Sequence, residues 1–142
     1  MKNTYFDSHR DFKCNVMGGA FRISVEKGYD SADFVRKVMT SKKLDYLFKM
    51  DDVQEWCDDC YFLSILEYHL KFKKGKTKDP YFMWFAGYLY KYFLMRNYTR
   101  KTVYEVLPLK RLEAAFPFYH TQDWDYIIDD AIRVYITDSY RV

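Results

Sequence analysis

A fifteen-residue segment from Tyr81 to Met95, YFMWFAGYLYKYFLM, constrains the fold of this chain more than any other. More than half of its residues are aromatic, and Lys91 carries its only charge. A segment this apolar has to be covered by the rest of the protein, by a partner or by a membrane. A spanning helix needs about 20 apolar residues, so this segment is too short to cross a bilayer. Because Asp79 suits an N-cap and Pro80 a first turn, the segment is predicted to be a buried or interface helix.

The composition indicates one globular domain over residues 1–142. The chain is 49% hydrophobic and 30% charged, which excludes a disordered chain and allows a real core. With 15 tyrosines and 12 phenylalanines, two interpretations stay open. Some rings face a partner, or a small core filled with large rings leaves many tyrosine hydroxyls at the surface.

The N-terminal residues, the cysteine count and the net charge limit where the protein is expected to act and what it is expected to bind. The first residues, MKNTYFDSHRDFK, are mixed and charged, without the apolar core of a signal peptide. Three cysteines are an odd number, which favours a reduced, cytoplasmic protein away from the membrane. The net charge of +3 is weaker than the bias of a dedicated nucleic-acid binder.

Residues 12–26, FKCNVMGGAFRISVE, predict a β-hairpin within an N-terminal segment of residues 1–28. Apolar residues alternate on both sides of Gly18-Gly19, and two glycines suit a two-residue turn. The body at 30–137 is predicted to be helical because apolar residues recur at helical spacing between capping signals. The predicted helices cover 31–39, 42–48, 51–73, 80–97, 100–107 and 109–115, with a last helix that Thr121 caps. Asp30 or Ser31 is the predicted cap of the first of these, Ser41 of the second and Thr99 of the helix that Pro108 ends. The fold class is therefore mainly α, a compact bundle of about six helices with an N-terminal hairpin.

Catalytic and metal chemistry is not favoured. Cys57 and Cys60 form a C-x-x-C pair, but aspartates lie between and before them and raise thiol pKa. No second pair of zinc ligands stands at tight spacing. His120 could act as an acid, base or polar anchor, yet no nucleophile stands at a recognisable spacing. We expect no cofactor, no metal and no catalytic residue.

Two charged groups suggest binding surfaces. Lys71, Lys73, Lys74, Lys76 and Lys78 place five lysines in eight positions, which could follow a phosphate backbone or form a solvated loop. Four aspartates at 123, 125, 129 and 130 could form a patch for a basic partner or complement a helix dipole.

Three stretches resemble a family of uncharacterised small bacterial proteins that lie beside toxin–antitoxin genes. They are SADFVRKVMTS at 31–41, WFAGYLYKY at 84–92, and the stretch from TVY at 102–104 through YHT at 119–121 to Ala131-Ile132. The match spans about residues 30–132, and Lys91 stands where the family pattern has arginine. The resemblance implies a partner-binding or antitoxin role against an ADP-ribosyltransferase-like toxin. It also marks the residues expected to bind a partner or ligand: Trp84, Tyr88, Lys91, Tyr104 and His120.

The leading hypothesis is a non-enzymatic protein-interaction module, an antitoxin-like component that binds and neutralises a toxin. The alternative is a nucleic-acid-binding module that uses the lysines of residues 71–78. A homo-oligomer is a further expectation. Salt separates the two hypotheses, since binding to phosphates weakens steeply with salt and an aromatic interface does not.

Overall fold

A computed structural model describes residues 4–49 and 58–137 of the chain, with side chains for 10–49 and 58–135. Its described part is a bundle of α-helices, which confirms the mainly α fold class. The helices are α1 Thr4–Glu26, α2 Ser31–Thr40, α3 Asp45–Lys49, α4 Asp59–His69, α5 Pro80–Met95, α6 Arg100–Val106, α7 Leu109–Tyr119 and α8 Trp124–Ala131. A 3₁₀ turn at Lys42–Leu44 precedes α3, and a π-helical segment at Ile132–Thr137 follows α8.

The predicted N-terminal β-hairpin at residues 12–26 is wrong, because these residues lie within the single long helix α1. Within the described ranges there is no β-strand, only one isolated bridge between Tyr29 and Lys74. The glycine pair serves close helix packing instead of a turn. A Cβ on Gly18 would lie 2.8 Å from the Trp84 carbonyl oxygen, and one on Gly19 would overlap the Asp59 side chain. The small residues therefore let α5 and α4 approach α1.

The core is built around the crossing of α1 and α5, the most extensive helix pair in the bundle. Gly87 lies at this crossing, where an added Cβ would be 2.6 Å from the Met17 carbonyl oxygen and 2.9 Å from the Gly18 Cα. On α1 one row of fully buried residues follows helical spacing: Cys14, Met17, Phe21 and Ser24. The predicted aromatic helix is confirmed as α5, and eleven of its sixteen residues are buried.

Side-chain caps set the starts of three α-helices where they were predicted. Asp30 accepts from the Asp33 N–H, Asp79 from the Phe82 N–H and Thr99 from the Thr102 N–H, so α2, α5 and α6 begin at the expected residues. Ser41 caps the 3₁₀ turn that leads into α3.

Three helix ends differ from prediction. The helix expected at 51–73 is described only from Asp59, capped by Asp58, and ends at His69; its first seven positions lie outside the described residues. α7 continues through Pro117 to Tyr119, because Pro117 is exposed in the last turns and water can satisfy the carbonyl that loses its partner. Thr121 donates to the Phe118 carbonyl at the end of α7, and Asp123 takes the N-cap position of α8.

The connection between α4 and α5 lies against the α1–α2 corner. The Phe72 ring packs 4.7 Å from that of Phe34, and the Asp30 and Ser31 N–H groups donate to the Lys73 and Lys76 carbonyls. The segment expected to continue a helix to Lys73 is therefore not helical beyond His69, because its backbone bonds to the start of α2 rather than to itself.

Among the helices of the described ranges, none combines the length and the apolar character that crossing a bilayer requires.

Candidate functional site

A layer of stacked aromatic rings joins α5 to α8. The Trp124 ring lies 4.2 Å from Tyr88 at an interplanar angle of 22°, and 5.1 Å from Phe85. Trp84 and Tyr92 flank Tyr88 along the same side of α5, and each lies 6.4 Å from Trp124. Residues spaced four apart on a helix share a face, so this side of α5 and the Trp124 ring of α8 together form an aromatic wall.

A surface cleft of about 470 Å³ lies over this wall, and we call it the aromatic cleft. Three elements contribute to it: α1, the middle of α5 and the first turn of α8. Its lining residues are Arg10, Asp11, Tyr88, Tyr92, Asp123, Trp124, Asp125 and Tyr126. The volume falls within the range of small-molecule pockets, which is about 300–1,000 Å³.

Two tyrosine hydroxyls fix the cleft floor to carboxylates. The Tyr88 hydroxyl donates to Asp11 Oδ1, which ties α5 to α1 across 77 positions of sequence. The Tyr92 hydroxyl donates to Asp125 Oδ1 at 2.7 Å. Burial, and then these hydrogen bonds to carboxylates, raise the pKa of both tyrosines well above the usual range. Both phenols therefore remain neutral donors near neutral pH and do not serve as acid–base groups.

The rim of the cleft carries charges of both signs. The Arg10 guanidinium lies 4.6 Å from the centre of the Tyr92 ring. Arg96 contacts Asp125 at 3.4 Å. Asp123 stands at the N-cap position of α8, yet its side chain makes no cap hydrogen bond. Three carboxylates against two guanidinium groups leave the rim mildly negative, with the Asp123 carboxylate exposed.

Of the five residues expected to bind a partner, the structure brings only Trp84 and Tyr88 together, with rings 5.2 Å apart. Tyr88 is only 5% exposed, so its ring forms part of the wall and does not project from the surface to contact a partner. Lys91 is 1% exposed and lies on the core side of α5. Its positive charge there lowers the pKa of the Cys14 thiol of α1, against the larger opposite effect of burial. Lys91 is therefore not a surface cation beside the aromatic rings.

Tyr104 and His120 lie at separate places. Tyr104 lines a second cleft, of about 570 Å³, with Met39, Thr99 and Arg100. His120 is exposed at the end of α7, where its ring packs 5.1 Å from Phe116. Phe116 in turn contacts Phe85, so His120 borders the aromatic layer without entering the cleft.

The lysine run at 71–78 does not form one surface. The Lys74 ammonium donates to the Lys27 carbonyl and lies 4.7 Å from the Tyr29 ring centre. Lys78 pairs with Glu113 at 2.9 Å. These two lysines of the run therefore contact different parts of the fold, the end of α1 and the middle of α7.

The two cysteines within the described residues, Cys14 and Cys60, do not form a redox or metal-binding pair. Cys14 is fully buried, and burial raises its thiol pKa to about 12. Cys60 is exposed at the start of α4, where desolvation and the neighbouring Asp59 raise its pKa. Its ligand atom and those of Asp58 and Asp59 lie within 4.8 Å of one another, as ordinary acidic helix starts do. Cys57 lies outside the described residues.

Sequence reasoning missed five residues of the cleft: Arg10, Asp11, Tyr92, Trp124 and Tyr126. Arg10 and Asp11 were hidden by the hairpin interpretation of their neighbours. The aspartates at 123 and 125 had been singled out as a partner patch, and that signal pointed to the correct end of α8. Trp124 stands at helical spacing with Ile127, Ile128 and Ala131, a pattern that indicates a core-facing helix side and gives no signal of a cleft.

Comparison with known proteins gives no relative for this chain. No family model, curated protein or solved structure matches it.

Proposed function

We propose that this protein is a non-enzymatic protein-interaction module whose aromatic cleft receives a cationic side chain of a partner protein. The observation that carries the proposal is the wall of Tyr88, Tyr92 and Trp124 beneath a rim that exposes carboxylates. Aromatic faces attract arginine and lysine groups, and a nearby carboxylate adds a charge-assisted hydrogen bond. Arg10 over the Tyr92 ring is an internal example of the same contact.

The surroundings of the cleft suit a protein partner better than a small molecule. Phe118 and Tyr126 are both about half exposed beside it, with their rings 6.1 Å apart in an edge-to-face arrangement. Exposed aromatic side chains next to a charged rim are typical of interface anchors. Tyr126 belongs to the cleft lining, so the anchors and the cleft form one continuous surface.

We further propose an antitoxin-like role, in which the partner is a toxin of the ADP-ribosyltransferase-like type. This part rests on the resemblance of the stretches at 31–41, 84–92 and 102–132, not on the geometry of the cleft. An enzyme centred on His120 is less favoured, because the ring is exposed at a helix end and packs against Phe116.

The test is affinity capture from the native host with the tagged full chain, at low and at high salt. We expect a stoichiometric protein that survives high salt, since aromatic burial is screened little by ions. Tyr126→Ala should lose this protein, whereas Tyr61→Ala should retain it. The two tyrosines are matched in exposure, at 47% and 49%, but Tyr61 lies on α4 away from the cleft.

Three results would contradict the proposal. One is recovery of no stoichiometric protein, and another is a captured protein that both variants retain equally. The third is a partner that lacks a basic surface, because the cleft rim would then have no charge to complement.

A further inference from the structure

We propose that a second surface, a cationic groove between α2 and α4, binds single-stranded nucleic acid. The groove has a volume of about 710 Å³ and lies between the C-terminal halves of these two helices. Its lining residues are Arg36, Lys37, Thr40, Ser41, Lys43, Glu67, Tyr68, His69, Leu70 and Lys71. Only Lys71 of the lysine run at 71–78 takes part, so this site differs from the one that the run alone predicts.

Positive charge exceeds negative charge in the groove. Four cationic side chains line it: Arg36, Lys37, Lys43 and Lys71. Arg36 and Lys37 share one carboxylate, that of Asp33, at 3.0 and 3.1 Å. A groove with this excess attracts polyanions, and each phosphate it binds releases counterions.

The one carboxylate that lines the groove is already occupied. Glu67 is held by the Lys27 ammonium at 2.9 Å and by the Tyr29 hydroxyl. In the described part of the chain, the Lys43 and Lys71 ammonium groups form no ion pair. These two lysines are therefore the groove cations that remain available to a phosphate.

Tyr68 provides the feature that selects the kind of polyanion. Its side chain is 85% exposed, more than any other large apolar or aromatic residue of the described chain. The His69 ring meets it edge-on at 5.0 Å and 87°, and the His69 Nε2 is hydrogen-bonded to the Tyr46 hydroxyl at 2.9 Å. One side of the Tyr68 ring is thus supported while its face remains open to a ligand. Aromatic faces beside cations are the usual stacking platforms for unpaired bases.

The groove is held in place by hydrogen bonds between side chains of α2 and the backbone of residues 71–73. The Lys37 ammonium donates to the Lys71 carbonyl at 2.5 Å, and the Lys73 N–H donates to Asp33 Oδ2 at 3.2 Å. Phe72 between them is anchored on Phe34 at 4.7 Å. The segment that carries Lys71 is therefore fixed beside α2, which lowers the ordering cost of binding.

A single strand fits these features better than a duplex or an acidic peptide. In a duplex the base faces are covered by their neighbours, so Tyr68 would find no partner for stacking. An acidic peptide would use the cations but leave the ring without a π-face to contact. Stacking on Tyr68 together with phosphate contacts at Lys43 and Lys71 requires an unpaired strand.

The test is fluorescence anisotropy with a labelled oligothymidylate of about twelve nucleotides. We expect Tyr68→Ala to weaken binding about tenfold and Tyr68→Phe, which keeps the ring, to bind as the natural chain does. Lys43→Ala with Lys71→Ala should weaken binding and reduce the slope of log affinity against log salt by about 1.4. Because all three side chains are exposed, the variants are expected to fold, and circular dichroism checks this.

Matched control variants test whether the groove itself, rather than the overall charge of the protein, binds the strand. Tyr61→Ala on the same helix, and Lys76→Ala with Lys110→Ala, remove the same groups outside the groove and should leave affinity unchanged. Equal loss in these controls would overturn the proposal, because binding would then reflect overall charge. Equal affinity for the duplex, or for polyglutamate of the same length, would also overturn it.

Discussion

At the residue scale, the Tyr88 hydroxyl ties α5 to α1 at the cleft floor, and its removal tests that link directly. Tyr88→Phe keeps the ring on Trp124 but removes the hydrogen bond to Asp11. A hydrogen bond to a charged group contributes about 1.5–3 kcal/mol, less where the carboxylate is exposed as Asp11 is. We therefore expect the free energy of unfolding to fall by about 1 kcal/mol in urea titrations. Tyr81→Phe, on an exposed ring of the same helix, should change it little.

A larger loss is expected for Tyr88→Ala, about 3–5 kcal/mol, because it also removes the stacked ring and leaves a cavity. Equal losses for the Phe and Ala substitutions would mean that the ring contributes nothing, which would contradict the described stacking.

Asp33 makes the stability of the corner between α2 and residues 70–79 sensitive to acid. Burial alone would raise the pKa of Asp33, but hydrogen bonds from the Lys73 N–H and the Lys37 ammonium lower it below its ordinary value of 3.8. Because the folded-state pKa is the lower one, the carboxylate stabilises the fold fully above about pH 4. This contribution is lost as the pH falls through the folded-state pKa.

The measurement compares the natural chain with Asp33→Asn by urea unfolding between about pH 6 and about pH 3. The difference in unfolding free energy should be largest near neutral pH and shrink on acidification. Asp129→Asn is the control, since Asp129 is exposed and meets Arg96 only at 3.4 Å. A difference that stays constant with pH would show that the Asp33 carboxylate does not stabilise the fold through its charge.

Individual residues were partly predictable from sequence. The caps at Asp30, Asp79 and Thr99 follow from local chemistry, since a short polar side chain before an apolar run satisfies the first free N–H groups. Lys91 was not predictable, because its spacing with Trp84 and Tyr88 fits a surface face equally well. Only the packing of α1 over α5 decides that Lys91 is buried.

At the scale of helices, the crossing of α1 and α5 depends on the absence of a side chain at Gly87. Alanine would favour the helix itself by about 1 kcal/mol. Its Cβ, however, would lie 2.6 Å from the Met17 carbonyl oxygen, a backbone atom that moves only if the helices separate. Overpacking of this kind costs about 1–3 kcal/mol, so we expect Gly87→Ala to destabilise the protein. Urea or thermal unfolding would show the sign, and an increase in stability would mean that the helices do not cross so closely.

The N-terminal helix shows why a local pattern can mislead. The residues around Gly18-Gly19 alternate as a hairpin does, and a glycine pair inside a helix is unfavourable by local propensity. The burial of Cys14, Met17, Phe21 and Ser24 at helical spacing outweighs that cost. The spacing was present in the sequence, but choosing it over the alternation requires the partner helix α5, which lies some 70 residues away.

At the scale of the whole molecule, the aromatic residues serve both of the roles that the composition left open. Buried tyrosines such as Tyr90 and Tyr119 fill the core, and their hydroxyls donate to the Leu107 carbonyl and to Asp130. Others, including Tyr68 and Tyr126, stand on the surface. The composition gives the number of rings, but whether each ring lies in the core or on the surface depends on how the helices pack.

The aromatic cleft and the cationic groove use different residues, so their variants should act independently. The cleft is built from α1, α5 and α8, and the groove from α2, α4 and the turns beside them. We expect Tyr68→Ala to leave capture of a protein partner unchanged and Tyr126→Ala to leave oligothymidylate binding unchanged. Capture and anisotropy on both variants check this, and a variant that impairs both would indicate one shared surface or a loss of folding.

The central claim is that the aromatic cleft binds a cationic side chain of a partner protein. The affinity of the captured protein for this chain is the most direct measure of that claim. Calorimetry would compare the natural chain with Tyr126→Ala, Asp123→Asn and Tyr61→Ala. The account predicts a loss of about tenfold or more for Tyr126→Ala, a smaller loss that salt reduces for Asp123→Asn, and no change for Tyr61→Ala. Unchanged affinity in both cleft variants, or a loss confined to Tyr61→Ala, would contradict it.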